Sequence, residues 1–255
     1  MDDLYGNWAQ VYDTFYPDRS EEVAFWARVA ARFGRRVLDL MCGTAEISLG
    51  LARHSCRVFG MDISPAMLSV GVERQSAAAD DPARNLSLIQ ADALALPTAD
   101  DAFDFAQATG SGSLNHLDDD QAATVLAELY RVLRPGGGIG LELVNPYLLE
   151  QIDAQRTIDP LRPAPGTWVK RLCHNHYEPT TGIFHIEQVT YVESGGQEDE
   201  FAESFSLHAW FPGQVRAMLR AAGFGGVQLC GSYGLEPFDT WSADLLVVAK
   251  AVAVG

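Results

Sequence analysis

VLDLMCGTAEISLGLA, residues 37–52, is the segment from which the architecture can be inferred. It predicts a buried strand, then a loop that carries Gly43, then the beginning of a helix. A strand, a glycine loop and a helix in this order are typical of a turn that cradles a nucleotide. Met41 and Ala45, however, stand where such a loop commonly has two further glycines.

Strands and helices alternate on either side of this segment. Apolar runs predict five strands at 36–42, 57–64, 85–93, 102–110 and 138–145. Ser64-Pro65 marks a helix start, and 118–138 reads as a helix with acids in its first turn and Pro-Gly after its end. This alternation predicts an α/β fold with a doubly wound, Rossmann-like parallel sheet.

Residues 146–210 have a different character. Three strand-like segments at 167–178, 182–193 and 199–210 are joined by turn sequences, which indicates an antiparallel β insertion after the fifth strand. A helix at 212–224 follows, and 226–233 and 243–251 are expected to complete a seven-stranded sheet. One domain with an insertion and two domains are equally compatible with 255 residues.

Composition restricts the partners. The formal net charge is −16, from 34 acids and 18 bases, so we expect no nucleic acid and no anionic membrane, and a small neutral or cationic substrate. The four cysteines form no CxxC pair, and no apolar run reaches the ~20 residues of a membrane span, so we expect a cytoplasmic protein. His174 and His176 share a strand face without an acidic partner, so we expect no metal. A monomer or homodimer is expected.

Polar residues stand at the carboxyl ends of the predicted parallel strands, where open α/β sheets bind ligands. Asp62 could accept hydrogen bonds from both hydroxyls of a ribose, and Asp92 from an adenine amino group. Asp39 could face a cationic amino group, and Thr109 ends the fourth strand. Because the loop lacks the glycines that a pyrophosphate requires, a phosphate-free ligand fits better, which points to S-adenosylmethionine.

Five stretches in the expected order resemble class I S-adenosylmethionine-dependent methyltransferases: VLDLMCGTAEISLGLA, VFGMDISPAMLSVG, IQADALALP, FDFAQATGSGSLNHL and LAELYRVLRPGGGIGLE. The resemblance covers about residues 36 to 145. In this family the loop usually reads Gly-Cys-Gly-Thr-Gly, so Ala45 is expected to place one methyl group near the cofactor. The resemblance implies cofactor binding by Tyr16, Asp39, Cys42, Gly43, Thr44, Ala45, Asp62, Ile63, Met67, Asp92, Ala93 and Thr109.

The N-terminal YGNWAQVYDTFYPDRSEE resembles the lid helix of small-molecule members of the family, in which residues like Tyr12 and Tyr16 close over the site. The resemblance therefore implies three parts. Residues 1–35 form the lid helices, 36–145 and 211–255 the cofactor-binding core, and 146–210 a substrate cap.

His116 follows the fourth strand, where the family places its substrate-facing wall, and is the candidate catalytic base with a pKa near neutrality. TGSGS at 109–113 lacks the Asn/Asp-Pro-Pro-aromatic motif of enzymes that methylate amino groups of nucleic acids. We therefore expect methyl transfer to a nitrogen or oxygen atom of a small organic acceptor such as a specialised metabolite or an amino sugar. The candidate acceptor-binding residues are Tyr12, Asn115, Asn145, His176, His208 and Trp210, with the sheet as the alternative environment for the last two.

Three other functions remain open from the sequence. The fold also supports non-methylating chemistry such as cyclisation or decarboxylation, a cofactor-binding partner subunit without its own catalysis, and methylation of a protein tail.

Overall fold

The computed structural model describes residues 6, 9–78, 81–110, 112–149, 151, 155–163 and 165–252. Eleven strands are formed there: β1 Arg36–Leu40, β2 Arg57–Asp62, β3 Leu86–Gln90, β4 Phe103–Ala108, β5 Leu133–Val144, β6 Gln155–Leu161, β7 Thr167–Glu178, β8 Ile183–Ser194, β9 Gln197–His208, β10 Phe224–Cys230 and β11 Asp244–Ala251. The α-helices are α1 Ser20–Ala31, α2 Glu46–Arg53, α3 Pro65–Ala78, α4 Asp119–Val132, α5 Pro146–Leu149 and α6 Pro212–Ala221, and 3₁₀ turns occupy Tyr12–Phe15, Asp81–Asn85 and Ser113–His116.

The larger sheet has seven strands in the order β10-β11-β5-β4-β1-β2-β3. Strands β1 to β5 are parallel, whereas β11 is antiparallel to both β5 and β10. The predicted α/β, Rossmann-like seven-stranded sheet is therefore confirmed. From β1 the chain continues to β2 and β3 on one side of the sheet and then to β4 and β5 on the other side. The crevice of the sheet therefore lies beyond the carboxyl ends of β1 and its two neighbours, β2 and β4.

The insertion after β5 is a separate antiparallel sheet with the order β6-β7-β8-β9. The sequence predicted β7, β8 and β9 but not β6, whose sequence QRTIDPL contains a proline and lacks a regular alternation. Proline is tolerated in β6 because β6 lies at the edge of its sheet and pairs only with β7.

Both faces of the larger sheet are covered by helices. On one face, Phe25 and Trp26 of α1 are fully buried, and the Trp26 ring centroid lies 6.4 Å from that of Phe105 on β4. Gly140 on β5 leaves room for this indole, because a Cβ there would lie 2.4 Å from Trp26. Helix α1 is thus part of the core.

The backbone of the loop after β1 explains why glycine is usual there. Met41, Gly43 and Ala45 all have left-handed backbone conformations, with φ of 58°, 54° and 58°. A non-glycine residue in this region costs roughly 1–2 kcal/mol. Glycine is therefore the residue that adopts the backbone conformation of positions 41 and 45 without strain. This chain has Met41 and Ala45 there, and both residues carry the strain of a positive φ.

The Ala45 methyl group does not face the cofactor side of the loop, contrary to expectation. Ala45 is fully buried and packs towards α3, where a methyl group at Gly71 would lie 3.1 Å from the Ala45 Cβ. Gly71 therefore leaves the space that the alanine fills.

This packing predicts an energetic coupling between Gly71→Ala and Ala45→Gly. Alanine is favoured over glycine in a helix by roughly 1 kcal/mol, but here its methyl group crowds Ala45. Urea unfolding should show that Gly71→Ala is more favourable, by at least about 0.5 kcal/mol, when Ala45→Gly is present. Gly213→Ala on α6 is the control, because no heavy atom in the described part of the chain lies within 4 Å of its new Cβ, and it should be additive with Ala45→Gly. Additive effects of Gly71→Ala would contradict the packing.

Candidate active site

A cavity of about 830 Å³ lies between the crevice of the larger sheet and the second sheet. Its lining comes from three parts of the chain. The N-terminal segment contributes Tyr12, Tyr16 and Arg19; the loops after β1, β2 and β4 contribute Met41, Cys42, Gly43, Thr44, Asp62, Ile63, Thr109 and Gly110; and the second sheet contributes Arg171, Cys173, Asn175, Phe184, Ile186, Gln188, Phe205 and Leu207. One space thus connects the predicted cofactor loops with the predicted cap.

The Asp62 carboxylate joins two of these loops. One oxygen accepts a hydrogen bond from the Gly43 N–H at 2.8 Å, and the other accepts one from the Ser64 N–H at 2.9 Å. Each carboxylate oxygen has two acceptor positions, and Asp62 also lines the cavity. No heavy atom of the described residues lies within 4 Å of where a Gly43 Cβ would stand, so the loop is open beside the carboxylate. This arrangement fits a ribose with two donor hydroxyls.

Most of the predicted cofactor residues line the cavity: Tyr16, Cys42, Gly43, Thr44, Asp62, Ile63, Met67 and Thr109. Asp39 does not. It is buried under the loop and accepts hydrogen bonds from Ser48 Oγ and Gln107 Nε2. Burial raises the pKa of Asp39 to about 6, because desolvation outweighs these two hydrogen bonds. Asp39 therefore supports the loop from below and is not part of the cavity lining.

Asp92, Ala93 and Ala45 are also absent from the lining. Asp92 is exposed, and its carboxylate accepts the Leu94 N–H at 2.9 Å within a local turn. The Ala93 and Ala45 side chains are buried in the cores on the two faces of the sheet. Gln90, two residues before Asp92, lines the cavity in its place.

Two predicted asparagines are structural. Asn115 is fully buried and joins three segments, because its Nδ2 donates to the His208 carbonyl at 2.6 Å and its Oδ1 accepts the Val144 N–H at 3.1 Å. Asn145 donates to the Ser242 carbonyl at 2.6 Å and accepts the Tyr147 N–H at 3.0 Å. Neither amide lines the cavity, so both position the backbone around it.

The predicted residues of the insertion also lie outside the lining. Trp210 is buried in the main core, and its Nε1 donates to Asp119 Oδ1 at 2.8 Å. His208 lies beside it, with ring centroids 6.1 Å apart. His176 is exposed on the outer face of the second sheet and stacks with His185 at 6.3 Å.

The inward positions of β7 are the odd-numbered ones, and sequence reasoning missed them. Side chains alternate across a strand, so Arg171, Cys173 and Asn175 face the cavity while the histidines face outward. The signal was present in the sequence, because the apolar Val169 and Tyr177 share this parity and are buried. Gln188 on β8 lies opposite Cys173 and extends the same polar wall.

His116 lines the cavity beside Phe205 of the second sheet, with ring centroids 5.2 Å apart. Burial lowers the pKa of His116 to about 4, which corrects the expectation of a value near neutrality. The imidazole is therefore neutral at pH 7.

The N-terminal segment is fixed to the cofactor loop by a polar cluster. Thr44 Oγ1 donates to Asp13 Oδ1 at 2.8 Å, Arg74 donates to the Thr44 carbonyl at 2.8 Å, and Arg74 forms an ion pair with Asp13. These contacts hold Tyr12 and Tyr16 at the cavity, with ring centroids 5.1 Å apart. The sequence did not predict this cluster or the placement of Arg19, whose guanidinium lies 4.6 Å from the Tyr16 ring.

Among the residues that the structure describes, no helix has the length and apolar character to cross a membrane. Within the same residues, no three His, Cys, Asp or Glu side chains gather in a way that could hold a metal ion.

Comparison with known proteins adds independent information. A family profile described as a methyltransferase domain matches residues 37–137, which hold β1 to β4 and the beginning of β5. Demethylmenaquinone methyltransferase of Listeria monocytogenes serotype 4a (strain HCC23) is 31% identical over 216 residues, which are 79% of this chain and 74% of the relative. The relative from Geobacillus sp. (strain WCH70) is 36% identical over 126 residues, and the chain spans only 51% of its length.

Solved structures share the fold over nearly the whole chain. The CcbJ methyltransferase from Streptomyces caelestis has a TM-score of 0.80 at 21% identity and covers 98% of both chains. CalS10, an amino pentose methyltransferase from Micromonospora echinaspora, has a TM-score of 0.72 at 22% identity, with 95% of this chain and 97% of that chain covered. These structures show the fold. The Listeria relative, matched over 74% of its length, and the methyltransferase-domain profile show that the chain belongs to the class I S-adenosylmethionine-dependent methyltransferase family.

Proposed function

We propose that this chain transfers the methyl group of S-adenosylmethionine to a nitrogen or oxygen atom of a small organic acceptor, such as a specialised metabolite or an amino sugar. The observation that carries the proposal is the single cavity that joins the Gly43–Asp62 loops to the polar wall of the second sheet. The names of two structural neighbours, an amino pentose methyltransferase and a sugar N-methyltransferase, agree with it.

The chemistry requires alignment and exclusion of water more than activation. S-adenosylmethionine, when bound, supplies a methyl group on a sulfonium that is already a good leaving group. Asp62 would hold the ribose hydroxyls, while Tyr12 and Tyr16 cover the cavity from the N-terminal side. The second sheet would hold the acceptor and align its nucleophile for the transfer, which is the main contribution to rate. His116 takes the proton that a nitrogen or oxygen nucleophile loses.

The polar wall also bears on the kind of acceptor. Arg171, Asn175 and Gln188 line the cavity beside Phe184, Ile186, Phe205 and Leu207. Such a mixture suits a molecule with both polar groups and an apolar ring, because buried polar groups need hydrogen-bond partners. It favours a polar acceptor over the demethylmenaquinone named in the sequence relatives.

Isotope transfer tests the proposed function. The purified chain is incubated with methyl-¹³C S-adenosylmethionine and a panel of amino sugars, aminated and hydroxylated aromatic compounds, and a quinol, and products are read by mass spectrometry and NMR. We expect a labelled N–CH₃ or O–CH₃ product. Cofactor consumption with an unlabelled product would indicate non-methylating chemistry, and a labelled C–CH₃ group would contradict the nitrogen or oxygen assignment.

Asp62→Asn should weaken the binding of S-adenosylhomocysteine by about tenfold or more, because the ribose hydroxyls lose one charged acceptor. Asp120→Asn removes the same charge from an exposed site on α4 and should leave the affinity unchanged. Isothermal titration calorimetry measures both variants. Equal affinities in the two variants would remove Asp62 from the cofactor site.

His116→Ala should lower turnover by roughly 10²–10⁴-fold while S-adenosylhomocysteine still binds. The pKa of about 4 means that neutral His116 is the active form over the whole neutral range, so wild-type turnover should lose its His116 limb only as pH falls towards about 4. His185→Ala, on the outer face of the second sheet, is the control and should keep wild-type turnover. Wild-type rates from His116→Ala would show that alignment alone carries the reaction, and a limb near pH 6.5 abolished by this variant would contradict the lowered pKa.

A further inference from the structure

Arg171 connects the second sheet with the N-terminal segment at the cavity wall. It lies on the inner face of β7 and lines the cavity, and the centre of its guanidinium lies 4.1 Å from the ring centroid of Phe15 in the N-terminal segment. The aromatic face covers one side of the planar cation, which leaves its edge N–H groups for other partners.

One N–H donor on the edge of the Arg171 guanidinium has no acceptor among the described residues. This donor, Nε, is buried. Within the described part of the chain, this Nε has no hydrogen-bond partner, and no carboxylate lies within ion-pair distance of the guanidinium. Glu203 on β9 is close enough to feel the Arg171 charge, and its Oε2 accepts Gln188 Nε2 at 2.8 Å. Its Oε1 is buried and has no hydrogen-bond partner among the described residues. Glu203 therefore forms no ion pair with Arg171 in this structure.

A buried N–H donor of an arginine destabilises the folded protein unless an acceptor pairs with it. The guanidinium cannot lose its proton in a protein, and a buried donor without a partner costs free energy. Carboxylate and phosphate groups match its fork of N–H donors and form the strongest hydrogen bonds available to it. The formal net charge of −16 would repel anions in general. Two arginines of the described residues line the cavity, and Arg19 already pairs with Glu22, so Arg171 provides the local compensation.

We propose that the acceptor carries an acidic group, a carboxylate or a phosphate, which Arg171 binds on the wall of the second sheet. The proposal rests on the proposed function, because it names the acceptor class for the same cavity. It replaces the expectation of a neutral or cationic substrate that composition alone suggested.

The strand register separates this group from the reacting end. Asn175 lies opposite Ile186, which lies opposite Phe205, and the Phe205 ring contacts His116. Arg171 lies four residues from Asn175 on the same face, which is about 13 Å along β7. The acceptor therefore presents its nucleophile near His116 and its acidic group towards Arg171 and Phe15.

Small probes test the anion site directly. Wild-type chain saturated with S-adenosylhomocysteine is titrated with phenyl phosphate, benzoate and benzyl alcohol, and binding is followed by NMR. We expect saturable binding of at least one of the two anions and a shift of the Arg171 Nε–H resonance, and the stronger of the two identifies phosphate or carboxylate as the natural group. Arg171→Gln should weaken that anion by about tenfold or more and leave benzyl alcohol unchanged.

Lys170→Gln is the matched control, because it removes one positive charge from the neighbouring position of β7, outside the cavity lining. It should bind the anion like the wild type. Absence of anion binding to the wild type, an unmoved Arg171 resonance, or equal weakening in the two variants would overturn the proposal. S-adenosylhomocysteine affinity is measured separately, so loss of cofactor binding would count against the proposed function and not against the anion site. If Arg171→Gln fails to fold, the wild-type resonance shift still decides the question.

Discussion

The Asp62 carboxylate is the point at which the cofactor side of the cavity is held together. It accepts N–H groups from the loop after β1 and from the start of α3, two segments that meet only because β1 and β2 are adjacent parallel strands. Because charged acceptors form stronger hydrogen bonds than neutral ones, this pair of contacts fixes the loop more firmly than backbone contacts alone. Thr44 in the same loop then contacts Asp13 and Arg74, which brings the N-terminal aromatic residues to the cavity.

The left-handed conformations at Met41, Gly43 and Ala45 are the other requirement of this loop. They turn the chain sharply enough for α2 to begin at Glu46 directly behind the loop. Ala45 meets the requirement because its methyl group finds space beside Gly71 of α3. The departure from a glycine-rich pattern is therefore compensated by packing on the side away from the cavity, and it leaves the cofactor side of the loop open.

The sequence predicted those features that local patterns determine. The parallel strands, the helix that begins at Pro65 and the antiparallel β7, β8 and β9 follow from hydrophobic periodicity and from turn and capping residues. The sequence also predicted that Gly43, Asp62 and Thr109 lie close together, because the carboxyl ends of parallel strands meet at one edge of the sheet. All three line the same cavity.

Features that depend on distant partners were not predictable in this way. Asp39 was expected in the cavity, but the contacts from Ser48 and Gln107 that keep it beneath the loop come from other elements. Asn115 and Asn145 stood at suggestive positions, yet their amides are occupied by backbone groups nearly a hundred residues away. Odd-numbered residues of β7 face the cavity, so Arg171 and Asn175 line the wall and His176 faces outward. Which face of β7 points inward depends on which face of the second sheet lies towards the larger sheet.

A crystal structure of the chain with bound S-adenosylhomocysteine tests the central claim most directly, because it shows whether one cavity serves both cofactor and acceptor. The claim predicts that the ribose hydroxyls contact Asp62 and that the sulfur faces the remaining space between His116 and Asn175. Binding with the ribose away from Asp62, or with the sulfur directed away from the second sheet, would contradict it.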